Sequence, residues 1–238
     1  MNPKDIHIGS SPEAVAGLIT NRILALARAS KSPLRVALSG GSTPETLFAC
    51  WRKRPERELQ NLGISFWQVD ERLVPQESKD SNWGNALRGY FAPAGYPASL
   101  LHPVRFDPLL TREEIAEAYD RELRDAISLN PGLPPFDLVL LGVGEDGHTS
   151  SLFPGQDLFD REDYYIPSVH PVNGTRRVAL SYRGILQSAH LIFHVLGEKK
   201  RDILRRVLSP ENATDAALPA ARIISLAPAA ELFTDIEL

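Results

Sequence analysis

Short apolar runs recur at 34–38, 64–69, 137–141, 177–181, 191–196 and 222–226, and they read as strands. Between them the apolar positions change period. Val15, Leu18, Ile19, Ile23 and Leu26 return at helical spacing behind Ser11-Pro12-Glu13, a capped start with proline at the first helical position. Thr111 followed by Glu114 makes a capping-box pattern that opens a helix over 115–129. Near-continuous apolar strands separated by helices predict a mostly parallel sheet with helices on both faces, because crossover connections put them there. The expected fold class is α/β, doubly wound.

Proline-rich and polar stretches at 93–108, 130–135 and 156–174 read as loops within one domain, so residues 1–238 are expected to form a single unit. There is no repeat, heptad array or low-complexity tail. A formal net charge of -4 argues against nucleic acid or anionic membrane as the main partner, since both demand a broad basic surface. It leaves room for a small phosphorylated ligand, which needs only a few local cations and backbone donors. The basic cluster Trp51-Arg52-Lys53-Arg54 with Arg57 is interrupted by Glu56 and Glu58 and reads as a solvated helix end. Cys50 is the single cysteine, which excludes an intrachain disulfide and any multi-cysteine site, and it is expected to pack. Residues 1–10 lack the apolar core of a signal peptide, and no run approaches the ~20 apolar residues needed to span a bilayer. A cytoplasmic protein, monomer or small homo-oligomer, is expected.

Four loops carry candidate chemistry, and each follows a strand. Ser39-Gly40-Gly41-Ser42-Thr43-Pro44 leads into a helix near Pro44; glycine N–H groups, hydroxyls and the helix N-terminus suit an anion. It has neither the lysine of a P-loop nor the dinucleotide fingerprint, and an ordinary capped helix start is the alternative. Asp70-Glu71-Arg72 follows the second strand: Arg72 offers a planar fork for phosphate and Asp70 an acid or base, while a surface ion pair explains the same letters. Downstream, Asn82 reads as a helix cap and Asn85 as a residue that could face the site.

The third loop, Gly142-Val143-Gly144-Glu145-Asp146-Gly147-His148-Thr149, sets a carboxylate two residues before an imidazole. Asp146 could orient His148, which could take a proton from water; a tight structural turn accounts for the loop equally well. No second histidine or cysteine stands at a zinc-ligand spacing nearby, and His102, His170, His190 and His194 are scattered and read as packing or surface residues. The fourth loop, Gly197-Glu198-Lys199-Lys200, puts lysine near a helix start, unfavourable for the macrodipole unless an anion is near; a solvated lysine is the alternative.

Together LSGGSTP, VDERLVP with SNWGNA, FDLVLLGVGEDGHTSSLFPG, RVALS and VLGEKK resemble the 6-phosphogluconolactonases, in the wider superfamily that includes the glucosamine-6-phosphate deaminases. The resemblance runs across most of the chain, and DGHTSSLFP is its most specific block. It implies a Rossmann-like fold that binds a sugar-phosphate lactone at the carboxyl ends of its strands, with no metal or organic cofactor. It implies His148 as general base with Asp146 as companion. Ser39, Gly40, Gly41, Ser42, Asp70, Arg72 and Lys200 fall at substrate or phosphate positions, and Arg177 at a recurrent arginine position that is either substrate-binding or structural. Lys199 beside Lys200 blurs which lysine points inward; the spacing from Gly197 favours Lys200.

The implied reaction is hydrolysis of 6-phospho-D-glucono-1,5-lactone to 6-phosphogluconate, a step of the oxidative pentose phosphate pathway. Two alternatives stand beside it, a deaminase-like aldose-ketose isomerase and a non-catalytic sugar-phosphate sensor. Against the isomerase, Phe153 before Pro154 occupies the position where the deaminases carry a ring-opening glutamate, and Arg72 replaces their usual tyrosine. Ser39, Ser150 and Ser151 lie in no nucleophile-elbow pattern, which disfavours a serine nucleophile.

Overall fold

The computed structural model describes residues 5–41, 43–55, 57–129 and 132–238. The chain begins β1 (Asp5–Ile8), α1 (Pro12–Ala29), β2 (Arg35–Leu38), α2 (Thr43–Arg52), α3 (Glu58–Asn61), β3 (Ser65–Gln68) and β4 (Asp70–Arg72). It continues through α4 (Asn82–Ala86), β5 (Leu101–His102), α5 (Arg112–Ser128), β6 (Leu138–Leu141), β7 (Tyr165–Val169) and β8 (Arg176–Leu180). Last come α6 (Tyr182–Leu186), β9 (His190–Val195), α7 (Arg201–Leu208), α8 (Ala213–Ala216), α9 (Pro219–Leu226) and β10 (Glu231–Thr234). The central sheet is seven-stranded, in the order β1-β10-β9-β6-β2-β3-β5, and every pairing in it is parallel. This is the expected α/β architecture.

Alternation along the buried strands divides the core. Val36, Leu38, Leu138, Leu140 and Ile192 join Val15 and Ile19 of α1 and Leu47 and Phe48 of α2. Ala37, Val139, Leu141 and Phe193 join Ile115 and Tyr119 of α5, Ile203 and Leu204 of α7 and Ile223 of α9. The helix starts follow their sequence signals: the Ser11 hydroxyl accepts from Ala14 N at 3.2 Å, and Thr111 and Glu114 close a reciprocal capping box. Among the described residues no helix is long and apolar enough to cross a membrane.

The strand expected at 222–226 is instead the second half of α9. Pro219 stands at its first turn, and Ala220, Ala221, Ile223 and Ile224 bury one helical face; paired β-branched residues mimicked a strand, but burial at helical spacing overrides that local preference. The strand expected at 177–181 exists as β8 but lies in a second, three-stranded antiparallel sheet, β4-β8-β7. Its partner β7 sits in the stretch read as irregular, and the two are joined by a turn closed by His170 N to Thr175 O at 3.0 Å and Gly174 N to His170 O at 3.0 Å. β1, β4, β5 and β10 went unforeseen, β4 where Asp70-Glu71-Arg72 read as a loop and β5 inside the 93–108 stretch; strands of two to four residues are specified by the neighbours they pair with.

β2 lies between β3 and β6, and the chain winds toward β3 and β5 before returning to the other side for β6 and β9. The crevice beyond the carboxyl ends of β2 and β6 is thus a topological switch point, where open α/β sheets take ligands.

Candidate active site

A cavity of about 460 Å³ opens at this crevice, within the range of small-molecule sites. Its lining includes Ser39, Gly40, Gly41, Asp70, Arg72, Asp146, His148, Arg177 and Lys200, so residues spread over the sequence converge on one space. Ser42 lies outside the described residues.

The loop after β2 is clamped to β6, since Ser39 Oγ donates to Leu140 O at 2.8 Å. Gly40 permits close approach of Asn82: a Cβ on it would lie 1.9 Å from the Asn82 side chain. Ser81, not Asn82, caps α4, its hydroxyl accepting from Gly84 N; Asn82 instead donates Nδ2 to Asp70 O at 3.0 Å. Asn85 does not line the cavity and donates to Lys79 O.

Asp70 and Glu71, adjacent in sequence, do different work. Glu71 is buried and accepts from the main-chain N–H groups of Arg72, Asn82 and Trp83 and from Gln68 Nε2, at 2.7 to 2.8 Å. Burial pushes its carboxyl up while these donors pull it down. It fastens β4 to the start of α4. Asp70 is buried at the cavity, accepts from Ser151 Oγ at 2.5 Å and stands 3.6 Å from Arg177 NH1. Ser150 Oγ donates to Val69 O and Leu180 O. Among the described residues neither serine hydrogen-bonds to a histidine.

Arg72 and Arg177 are direct cross-strand partners on β4 and β8. Like charges in that register repel, and only Arg177 has a carboxylate, Asp70. Among the described residues neither Arg72 nor Lys200 forms an ion pair. Two uncompensated cations and a helix N-terminus therefore border one cavity, an arrangement that favours an anion. Arg72 Nε, Asn82 Oδ1, Thr149 Oγ1, Arg177 Nε and His194 Nε2 are buried polar atoms without a partner among the described residues, and all belong to residues lining this cavity. Such atoms cost free energy unless a ligand or water meets them.

The loop after β6 holds the imidazole. Asp146 Oδ1 accepts from His148 N at 3.1 Å and stands 2.5 Å from His148 Nδ1. Burial opposes ionisation of Asp146, but the hydrogen bond and charge of His148, with backbone donors, outweigh it and bring the carboxyl down to about 2. An ionised Asp146 keeps the proton on Nδ1 and leaves Nε2 with its lone pair. The His148 ring packs 4.8 Å from that of Phe153, which is buried and lies 5.0 Å from the ring of His170. Phe153 itself brings no ionisable group to this contact.

His170 and His194 line the cavity although the sequence suggested packing or surface roles. Their signal was faint, a histidine ahead of a proline and a polar residue on an apolar strand. Asn82 and Thr149 likewise look like routine cap and loop residues until the fold aims them inward. Among the described residues no three His, Cys, Asp or Glu side chains are grouped to hold a metal ion.

Fold and cleft together define the class: a doubly wound, Rossmann-like α/β protein with a polar, cation-bordered cleft at its switch point. The chain belongs to the glucosamine-6-phosphate isomerase/6-phosphogluconolactonase family, whose model matches residues 10–232. It is 34% identical over 194 residues to a 6-phosphogluconolactonase of Haemophilus influenzae, covering 80% of each chain. It is 32% identical over 232 residues to one of Rattus norvegicus, covering 93% of this chain and 87% of that one. The solved structure of 6-phosphogluconolactonase from Trypanosoma cruzi superimposes with a TM-score of 0.84 at 25% identity, over 98% of this chain and 95% of that one.

Proposed function

We propose that residues 1–238 act as one sugar-phosphate domain that hydrolyses 6-phospho-D-glucono-1,5-lactone to 6-phosphogluconate in the cytoplasm, with His148 as general base. The observation that carries this reading is a single cavity holding both an imidazole oriented by Asp146 and a border of uncompensated cations. The relatives named above support the substrate. In this mechanism the Ser39 to Gly41 segment, with Ser42, Arg72 and Lys200, anchors the phosphate, and that remote binding energy orients the lactone.

His148 Nε2 takes a proton from water as the water oxygen bonds to the carbonyl carbon, and negative charge moves onto the carbonyl oxygen. Collapse of this intermediate breaks the bond from the carbonyl carbon to the ring oxygen, which leaves with the proton held by His148. Asp146 steadies the imidazole through both transfers. Asp70 and Ser151 fix Arg177 at the cavity wall.

Phe153 argues against an aldose-ketose isomerase, because a phenyl ring at that position cannot transfer a proton. The test is a stopped-flow assay of lactone loss, corrected for spontaneous hydrolysis, with ammonia release from glucosamine 6-phosphate followed in parallel. Enzymatic lactone loss that collapses in His148→Ala, with affinity for 6-phosphogluconate retained, is the expected result. No excess rate in wild-type protein that still binds 6-phosphogluconate would favour a sensor, and ammonia release would favour the isomerase.

A further inference from the structure

Attack on a lactone puts negative charge on the carbonyl oxygen, and that oxygen needs a donor close to the base. Three main-chain donors of the loop that carries His148 are already engaged. Gly144 N is engaged by His148 O at 2.8 Å, Gly147 N by Gly144 O at 3.0 Å, and His148 N by Asp146 Oδ1. Arg177 NH1 is held by Ser151 Oγ at 3.3 Å beside Asp70. The β7–β8 turn supplies a different group. His170 Nδ1 accepts from the main-chain N–H groups of Val172 at 3.2 Å and Asn173 at 3.4 Å, so this nitrogen carries no proton in the neutral ring and Nε2 does. Nε2 has no protein partner among the described residues, and the ring lines the cavity. It packs against Phe153, the same buried ring that His148 touches.

Resting on the lactonase reading above, we propose that His170 presents its Nε2–H to the carbonyl oxygen of the lactone and stabilises the oxyanion that forms there. The ring suits the task because its surroundings favour the neutral form. Burial, then the charges of Arg177 and His148, hold its pKa below the usual imidazole value, against a smaller opposing pull from Asp146. Its orientation is set in advance by a closed turn rather than at the moment of reaction, which is what makes such a donor effective.

Two variants separate this role from a structural one. His170→Asn keeps an acceptor at the Nδ1 position, so the turn is preserved while the cavity loses its donor. His170→Gln restores an N–H near the Nε2 position. Removal of one oxyanion donor lowers kcat by about 100-fold or more, so His170→Asn is expected to show a loss of that order, with KM and melting temperature unchanged and partial recovery in His170→Gln. Wild-type kcat in His170→Asn overturns the inference, as does a loss in both variants that tracks a lowered melting temperature. If wild-type protein gives no enzymatic lactone loss in the same assay, the lactonase reading falls and takes this inference with it.

Discussion

Replacing His194 by leucine tests whether an imidazole is held neutral in the cavity wall. The residue sits on β9 at 4% exposure, on the sheet face it shares with Ile192, and its Nε2 has no partner among the described residues. In the unfolded chain such a ring takes up a proton around its ordinary value of 6.5; in the folded protein burial brings that value down to about 3. Between those two values the unfolded chain binds more protons than the folded one, so stability falls as pH falls through this window. At about 1.4 kcal/mol per pH unit for one proton, the ring alone accounts for a loss of about 2 kcal/mol between pH 7 and pH 5. Urea unfolding of wild type and His194→Leu at both pH values, in a phosphate-free buffer that leaves the cavity unliganded, isolates this contribution because the other titrating groups are common to both proteins. The wild type is expected to lose about 2 kcal/mol more than the variant. Equal losses in the two proteins would refute the buried neutral imidazole.

Three further substitutions probe the site and its support. In Gly144→Ala the new Cβ would lie 2.1 Å from His148 Nδ1; the imidazole must leave Asp146, and kcat for lactone hydrolysis should drop by about 100-fold with the fold retained by circular dichroism. Arg72→Ala removes an uncompensated cation and should weaken 6-phosphogluconate binding by about 2 kcal/mol, roughly 30-fold in calorimetric Kd; an unchanged Kd would exclude Arg72 from the anion site. Glu71→Ala strands three main-chain donors and the Gln68 amide in a buried place, and should cost about 3 kcal/mol or more in chemical denaturation.

Much of the architecture was legible from pattern alone. The strands at 34–38, 64–69, 137–141 and 191–196 carry apolar side chains on both faces because both are covered, and the Ser11 and Thr111 caps announce their helices because an orphan N–H group must find an oxygen. Misreadings fell where local preference and tertiary burial disagree. Ile223-Ile224 favours a strand in isolation, yet α9 buries both on one helical face.

The segments after β2, β3, β6 and β9 were each ambiguous between chemistry and routine structure, and none resolves that by itself. The triplet Asp70-Glu71-Arg72 looks the same in sequence whether its charges pair at the surface or face a cleft. The sequence by itself determined the α/β class, the inner strands of the sheet, the candidate loops and the family resemblance, since these depend on periodicity and on runs of adjacent residues. Only the tertiary structure decided that Arg72 stands across from Arg177, that Ser151 serves Asp70, and that His170 and His194 border the same cavity. Strand pairing and burial join residues far apart in the chain, and those contacts leave no periodic trace in the sequence.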